Sequence, residues 1–245
     1  NRISYLLDFH GPSMVINSTC SSIYVALHHA RISLEKGECD YAIVGGITLF
    51  LEPWKKEEVT PTFFESVKTE INSFTKDASG YRSSEGCGAI LLHRSTKEND
   101  SIHDCHAVIK GSGYNSGGKT NSFADPSQKQ QVNLFRRVLH TAQITSSEVN
   151  YIEAHGISSL VGDASEANAI IEVFQRDEKQ CYVSTIKPNI GHAHAASGLY
   201  SLMKAILALK YKQIPPIKGL KGKKINENIL ENTKGIKFLT EAVHW

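Results

Sequence analysis

Short apolar runs alternate with helical periodicities along nearly the whole chain, and that alternation limits the fold more than any other feature. Residues 12–17 read as a buried strand, and residues 21–32 follow at once as a helix with an apolar stripe. Residues 41–47 and 86–93 read as further strands, with the apolar stretch 107–111 after them. Residues 128–142 carry Val132, Phe135, Val138 and Leu139 at helical spacing. Strand, helix and strand then recur at 149–154, 163–174 and 182–184, and residues 195–211 read as a long apolar helix buried on most faces. Such a rhythm predicts an α/β fold, a mostly parallel or mixed sheet covered by helices. Residues 51–80, with Pro53 and Pro61, read as an irregular excursion from the core, and 113–127 as a long Gly-, Asn- and Ser-rich loop.

With 245 residues, 40% of them apolar, the chain can bury one large α/β core or two small ones. Its formal net charge of +2 gives no electrostatic reason to expect nucleic acid or an anionic membrane as partner. The basic run at 218–224 reads as a solvated loop. No apolar run approaches the length of a membrane span, and no signal peptide opens the sequence. The five cysteines, Cys20, Cys39, Cys87, Cys105 and Cys181, are scattered without a CxxC pair. That usage argues for a reducing, cytoplasmic setting and against a disulfide framework. The abrupt start and the stop at Trp245, just after the strand-like Ile236-Lys237-Phe238-Leu239, read as a chain cut from something longer at both ends.

Cys20 falls where the first predicted strand turns into a helix. Free backbone N–H groups and the positive end of the helix there favour a nucleophilic thiolate. The competing role is that of a small buried hydrophobe, the ordinary fate of a free cysteine. Two histidine motifs tip the balance. Glu153-Ala154-His155-Gly156 sets a histidine at the end of a strand, and Lys187-Pro188-Asn189-Ile190-Gly191-His192 repeats that placement 37 residues later. Strand ends are where ligands and reacting groups converge in α/β folds. Other constellations are weaker. His103-Asp104-Cys105-His106 would alternate faces on a strand and so makes no metal site. His192-Ala193-His194 lacks further ligands, and Gly117-Gly118-Lys119-Thr120 lacks the upstream glycine of a phosphate loop. Cys20 with His155 and Asn189 shares the residue types of a cysteine hydrolase, although paired histidines beside Lys187 suit decarboxylative condensation better.

These residues resemble the β-ketoacyl synthases, specifically the ketosynthase domains of modular polyketide synthases. The resemblance spans essentially the whole chain. It is carried by Asn1-Arg2-Ile3-Ser4-Tyr5 with Gly11-Pro12-Ser13, by Thr19-Cys20-Ser21-Ser22, and by Gly80-Tyr81 with Glu85-Gly86. The two histidine motifs and Gly162-Asp163 continue it, and Ile109-Lys110-Gly111 with Gly117-Gly118-Lys119-Thr120-Asn121 resembles the branch served by trans-acting acyltransferases. The resemblance implies a thiolase-like fold, layered α-β-α-β-α and incomplete at both ends. Residues of about 1–110 would end an N-terminal half holding the nucleophile, and about 111–245 would form most of a C-terminal half holding both histidines. It implies Cys20 as acyl acceptor, with His155 and His192 stabilising an enolate. Lys187 would fix the histidine network, with Asp163 as its charge partner and Asn189 in support. Ser159 would offer a hydroxyl to pantetheine. No metal and no bound cofactor are implied, because the phosphopantetheine arm arrives on an acyl carrier protein bearing acyl or malonyl groups as thioesters. A homodimer is implied for the complete domain. The alternatives are an acyl-transferring domain that does not condense and a non-catalytic scaffold.

The sequence departs from the family pattern in places. Asn17-Ser18-Thr19-Cys20 stands for Asp-Thr-Ala-Cys, which removes a charge from the turn. His155-Gly156-Ile157-Ser158-Ser159 stands for His-Gly-Thr-Gly-Thr, so Ile157 removes one pantetheine-facing hydroxyl and Ser159 keeps the other. Losing one neutral hydrogen bond costs about 0.5–1.5 kcal/mol, which weakens such binding without abolishing it. Ala78-Ser79-Gly80 replaces Ala-Asp-Gly, and Arg82 is displaced by one position. The resemblance also puts a preceding αβ section and a following glycine-rich oxyanion segment outside these residues, so the complete domain is expected to work where this stretch alone does not.

Overall fold

A computed structural model describes residues 2–51, 70–95, 105–122, 124–177 and 179–245. The exposed helix α1 (Arg2–Leu6) opens the chain, and one turn of 3-10 helix at Thr19–Ser21 runs directly into α2 (Ser22–Lys36). Strands β1 (Tyr41–Thr48) and β2 (Gly86–His93) pair antiparallel, with Tyr41 opposite His93 and Thr48 opposite Gly86. Helix α3 (Gln128–Ala142) begins where the Ser127 hydroxyl accepts the Gln130 N–H at 3.3 Å, satisfying one of the free N–H groups of the first turn. There follow β3 (Tyr151–Glu153), α4 (Leu160–Phe174), β4 (Cys181–Ser184), the single turn α5 (Lys187–Ile190) and α6 (Ser197–Tyr211). The chain ends with β5 (Gln213–Ile214), β6 (Ile236–Phe238) and β7 (Val243–His244). Strand β4 is the centre of a parallel sheet between β3 and β6, and β5 pairs antiparallel with β7.

The two-residue period of β4 explains the layering. Cys181 and Val183, both fully buried, join Ala167, Ile170, Ile171 and Phe174 of α4 in the larger core. Burying an isoleucine or valine of this kind contributes about 1.5–3 kcal/mol, so this layer carries much of the fold's stability. Ser184 faces the other way, where its hydroxyl accepts a hydrogen bond from Lys204 of α6 at 2.7 Å. Helices α6 and α2 in turn cover β1–β2 through Leu199, Ile23, Leu27 and Val44, and α3 packs outside α4 through Phe135 against Phe174. The resulting order of layers is β1–β2, α2 with α6, β3–β4–β6, then α4 with α3. These are four of the five layers expected. The outer helical layer is not among the described residues, and there Ile43, Ile47 and Leu91 of β1–β2 are exposed.

Four local readings need correction. Residues 12–17 form no strand: they pair with no strand among the described residues, and Val15 is 98% exposed. Residues 107–111 also lack regular structure, and Gly111 instead lies against Ala142 and Val138 of α3. Helix α6 is buried along one side only, with Met203, Leu207, Leu209 and Tyr211 exposed. Residues 70–81 are no excursion: Ile71, Phe74, Ala78 and Tyr81 are buried, and Phe74 belongs to the larger core. Residues 52–69, with Pro53 and Pro61, lie outside the described residues, as do His103 and Asp104. Among the described residues, no helix is long and apolar enough to cross a membrane.

Candidate active site

The turn that carries Cys20 is tied to itself. Asn17 Oδ1 accepts the Thr19 N–H at 3.2 Å, and Ser22 Oγ accepts the Ser18 N–H at 3.0 Å. The Ser21 and Ser22 hydroxyls donate to the Ser18 and Thr19 carbonyls at 2.8 and 2.6 Å. Thr19, at φ +55°, opens the 3-10 turn that carries Cys20 into α2. Asn17, where the resemblance implies an aspartate, thus supplies the acceptor, and the turn holds without the charge. Cys181 offers a contrast. Burial pushes its thiol up to about 11, against a weaker pull from Arg176, so it stays protonated and inert.

His155 follows β3, and a carboxylate on another element fixes its backbone. Glu166 of α4 accepts the His155 N–H at 2.6 Å and the Gly156 N–H at 2.9 Å. Gly156, at φ +51°, has no room for a side chain: a Cβ would lie 2.8 Å from Thr185 and 3.0 Å from Phe74. Ser158, also at positive φ (+65°), is fully buried, and its hydroxyl accepts N–H groups from Asn72 at 3.1 Å and Ser79 at 3.3 Å. Those bonds offset the strain of a non-glycine residue there. The buried segment 70–81 therefore laces this loop in place, and Ser73 adds a bond to the Gly156 carbonyl at 2.6 Å.

His192 is 3% exposed and follows Gly191, whose φ of +82° and ψ of −169° suit glycine alone. Its main chain is pinned on both sides: the His192 N–H donates to the Arg82 carbonyl at 2.7 Å, and its carbonyl accepts the Ser84 N–H at 3.0 Å.

Lys187 is 1% exposed and donates from Nζ to the His155 carbonyl at 2.5 Å, joining the two histidine turns. Burial lowers its basicity, while Glu166, Glu153, Cys20 and Asp163, in that order, sustain its charge. Asp163, expected as its charge partner, spends its carboxylate on the Phe74 N–H at 2.7 Å and the Ser159 N–H at 3.2 Å. Burial raises the Asp163 carboxyl to about 7 against those two bonds. Glu153 accepts the Ile186 N–H at 2.7 Å and pairs with Lys204 at 2.9 Å, an ion pair shielded from solvent on both sides.

These elements bring the Cys20 sulfur and one ring nitrogen each of His155 and His192 to within 4.8 Å of one another. A thiol and two imidazoles also form a metal-ligand set, but the neighbouring Lys187 ammonium opposes a cation there. Both imidazoles stay neutral at pH 7. Desolvation and then the Lys187 charge lower His192 to about 3. The same two causes, with His192, hold His155 well below 6.5. Since His155 keeps an exposed face, the neighbouring ammonium is the sturdier of its causes. Ser159 caps α4 by accepting the Gly162 N–H at 3.1 Å and is partly exposed, while Asn189 is exposed on α5. Glu166 is the residue that motif reading missed. Its trace in the sequence is its place on the face of α4 shared by Asp163, Ala167 and Ile170, where an acid has no apolar reason to be.

Comparison with known proteins fits this geometry. Residues 1–98 match the family described as beta-ketoacyl synthase, N-terminal domain, and residues 106–221 match its C-terminal domain. The chain belongs to the β-ketoacyl synthase family. A 6-methylsalicylic acid synthase from Penicillium terrestre is 40% identical over 221 residues, 88% of this chain and 12% of that protein. Polyketide synthase PksR of Bacillus subtilis (strain 168) is 38% identical over 252 residues, 99% of this chain and 10% of its own length. Among solved structures, the ketosynthase from module 6 of the bacillaene synthase from Bacillus subtilis 168 superposes with a TM-score of 0.91 at 34% identity. That match covers 100% of this chain and 44% of the solved one. The layers of this β-ketoacyl synthase chain are accordingly those of a thiolase-like fold.

Proposed function

We propose that this chain carries the acyl-accepting and condensing centre of a polyketide synthase ketosynthase of the branch served by trans-acting acyltransferases. The observation that carries the reading is the meeting of Cys20, His155 and His192 within 4.8 Å beside buried Lys187. The Cys20 thiolate attacks the carbonyl carbon of an acyl thioester borne on a carrier protein's phosphopantetheine arm. A carbon–sulfur bond forms at Cys20, the bond from the carbonyl carbon to the pantetheine sulfur breaks, and the arm leaves as a thiolate that takes up a proton. A malonyl thioester then enters, its bond to the carboxylate breaks, and CO₂ departs. The electron pair stays on the thioester fragment as an enolate, to which His155 and His192 donate N–H hydrogen bonds. Neutral imidazoles suit this, because they donate without surrendering a proton to the carbon. The enolate carbon attacks the Cys20 thioester, forms the new carbon–carbon bond and expels the thiolate, leaving a β-ketoacyl product on the carrier.

In this reading Lys187 ties the histidine turns together, with Asp163 and Asn189 in support, and the Ser159 hydroxyl meets a pantetheine amide. Residues of about 1–110 belong to the nucleophile's half of the domain and about 111–245 to the histidines' half. The protein works in the cytoplasm as a homodimer that receives a carrier protein. Similarity to the bacillaene ketosynthases supports the branch assignment, as do residues 109–111 and 117–121.

The test is intact mass after incubating the native protein with an acyl-pantetheine thioester, with Cys20→Ala alongside and circular dichroism to establish folding. An acyl-sized increment absent from Cys20→Ala supports the nucleophile, and CO₂ release from malonyl-carrier with β-ketoacyl product supports condensation. Acylation without condensation leaves the transferring role. A folded protein that stays unmodified refutes both enzymatic roles.

A further inference from the structure

We propose that His194 is a positioning residue for His192, holding the His192 imidazole by face-to-face stacking two residues further along the chain. The inference rests on the role of His192 given above and extends it to the residue that sets the ring's direction.

A working imidazole is commonly aimed by a hydrogen bond at its second nitrogen. In His192 the Nδ1 atom is buried and has no hydrogen-bond partner among the described residues. Ring contacts surround it instead. Tyr81 meets it edge-on with centroids 4.6 Å apart and planes at 79°, and His155 does so at 5.5 Å and 86°. Among the described residues, His194 alone lies parallel to it, at 5.0 Å and 12°. A parallel neighbour resists rotation of the ring about its Cβ–Cγ bond, so it fixes which way the ring nitrogens point.

His194 is itself held. Its Nε2 lies 2.8 Å from the Ser83 hydroxyl, and its ring stands edge-on to Tyr81 at 5.6 Å and to Phe50 at 5.8 Å. The backbone at His194 adopts a φ of +41°, turning the side chain back over its neighbour. Ser83 forms a parallel bridge with His192 and lies between Arg82 and Ser84, whose main chains bond the His192 backbone. One three-residue segment therefore grips the main chain of His192 and, through the Ser83 hydroxyl, the ring stacked on it. Cys20 acylation does not call on the aim of His192, whereas enolate stabilisation does. Misplacing a reacting group by about 1 Å can cost about 10²-fold in rate, so a loosened ring should affect the second step selectively.

The experiment compares two rates in the native protein: Cys20 acylation by intact mass, and decarboxylation of a malonyl-pantetheine thioester to its acetyl thioester and CO₂. His194→Ala is expected to slow decarboxylation about 10- to 100-fold while acylation moves less than about threefold. His194→Phe, which restores a flat ring, should recover most of the loss, and Ser83→Ala should fall between. Unchanged decarboxylation in His194→Ala, or an equal fall in both rates, overturns the proposal. If His194→Ala fails to fold, His194→Gln decides, because it keeps a polar contact for Ser83 but no ring: a selective fall supports the proposal and no fall overturns it. His192→Ala separates the two levels. Decarboxylation surviving in that variant refutes the role of His192 and this inference with it. Decarboxylation lost in His192→Ala but intact in His194→Ala refutes the inference alone.

Discussion

The nucleophile turn and the histidine turns meet at one point but are built in opposite ways. Around Cys20, the side-chain bonds join residues no more than four apart, from Asn17 to Ser22. Around His155 and His192, side-chain bonds reach from Glu166 to the His155 loop and from Lys187 across to the His155 carbonyl, and main-chain bonds join Arg82 and Ser84 to His192. A local turn can form wherever its own few residues allow. A turn held by distant groups exists only once the fold is complete, so its geometry is tied to global stability. The lesson is that substitutions of similar chemistry should act very differently on the two sides.

The sharpest break is Glu166→Ala, which leaves the His155 and Gly156 N–H groups without their carboxylate. Two hydrogen bonds to a charged group at about 1.5–3 kcal/mol each predict a loss of about 3–6 kcal/mol, read by denaturant unfolding. Glu166→Gln should recover roughly half, because the amide oxygen can serve only one of the two donors well. Gly191→Ala comes next. It forces a side chain into a glycine-only conformation, with a Cβ 2.9 Å from Ser84 Cβ and 3.0 Å from the Arg82 carbonyl. A cost of about 2–4 kcal/mol is expected from strain and crowding, with decarboxylation lost well before Cys20 acylation.

A smaller test uses pH. His192 is lowered to about 3, so between pH 6.5 and 3 the unfolded chain binds a proton that the folded chain does not, and stability falls on acidification. Asp163 is raised to about 7, so between pH 7 and 3.8 the folded chain binds the extra proton, and stability rises on acidification. From pH 7 to 5 each effect amounts to about 2 kcal/mol, and they oppose one another. Asp163→Asn should therefore lose stability on going from pH 7 to 5, and His192→Phe should gain it. Identical pH dependence in both variants would contradict the two environments.

Much of this was legible in the sequence because it is written locally. The helical stripe at 128–142 matches α3 to the residue, and His155 follows directly on strand 151–153, whereas His192 stands eight residues beyond strand 181–184, after the helical turn 187–190. What could not be read depends on distant partners. Residues 12–17 have strand-like composition, yet a strand needs a neighbour to pair with, and composition does not reveal one. Residues 70–81 look like loop because they are polar and irregular, yet Asn72, Ser73 and Phe74 are buried against the 156–163 loop by bonds that span more than 80 residues. The motif singles out Asp163 as the expected charge partner of Lys187, whereas its hydrogen-bond partners are backbone N–H groups, which no side-chain pattern announces. His194 reads in the sequence as half of an incomplete metal pair, whereas its ring lies parallel to that of His192.

The smallest effect sharpens the comparison from the other side. Asn17→Asp restores the charge usual in the family while keeping the oxygen that accepts the Thr19 N–H. Because the acceptor is already present, stability and Cys20 acylation should change little, by less than about 0.5 kcal/mol as for most exposed substitutions. Asn17→Ala removes the acceptor and should cost about 0.5–1.5 kcal/mol, the net worth of one ordinary hydrogen bond. Measured by unfolding and by the rate of acyl-mass gain, the pair isolates what the turn requires. If Asn17→Asp raises acylation tenfold while Asn17→Ala does nothing, charge rather than turn geometry governs the nucleophile. The contrast between a self-sufficient turn and a tertiary one would then have to be abandoned for Cys20.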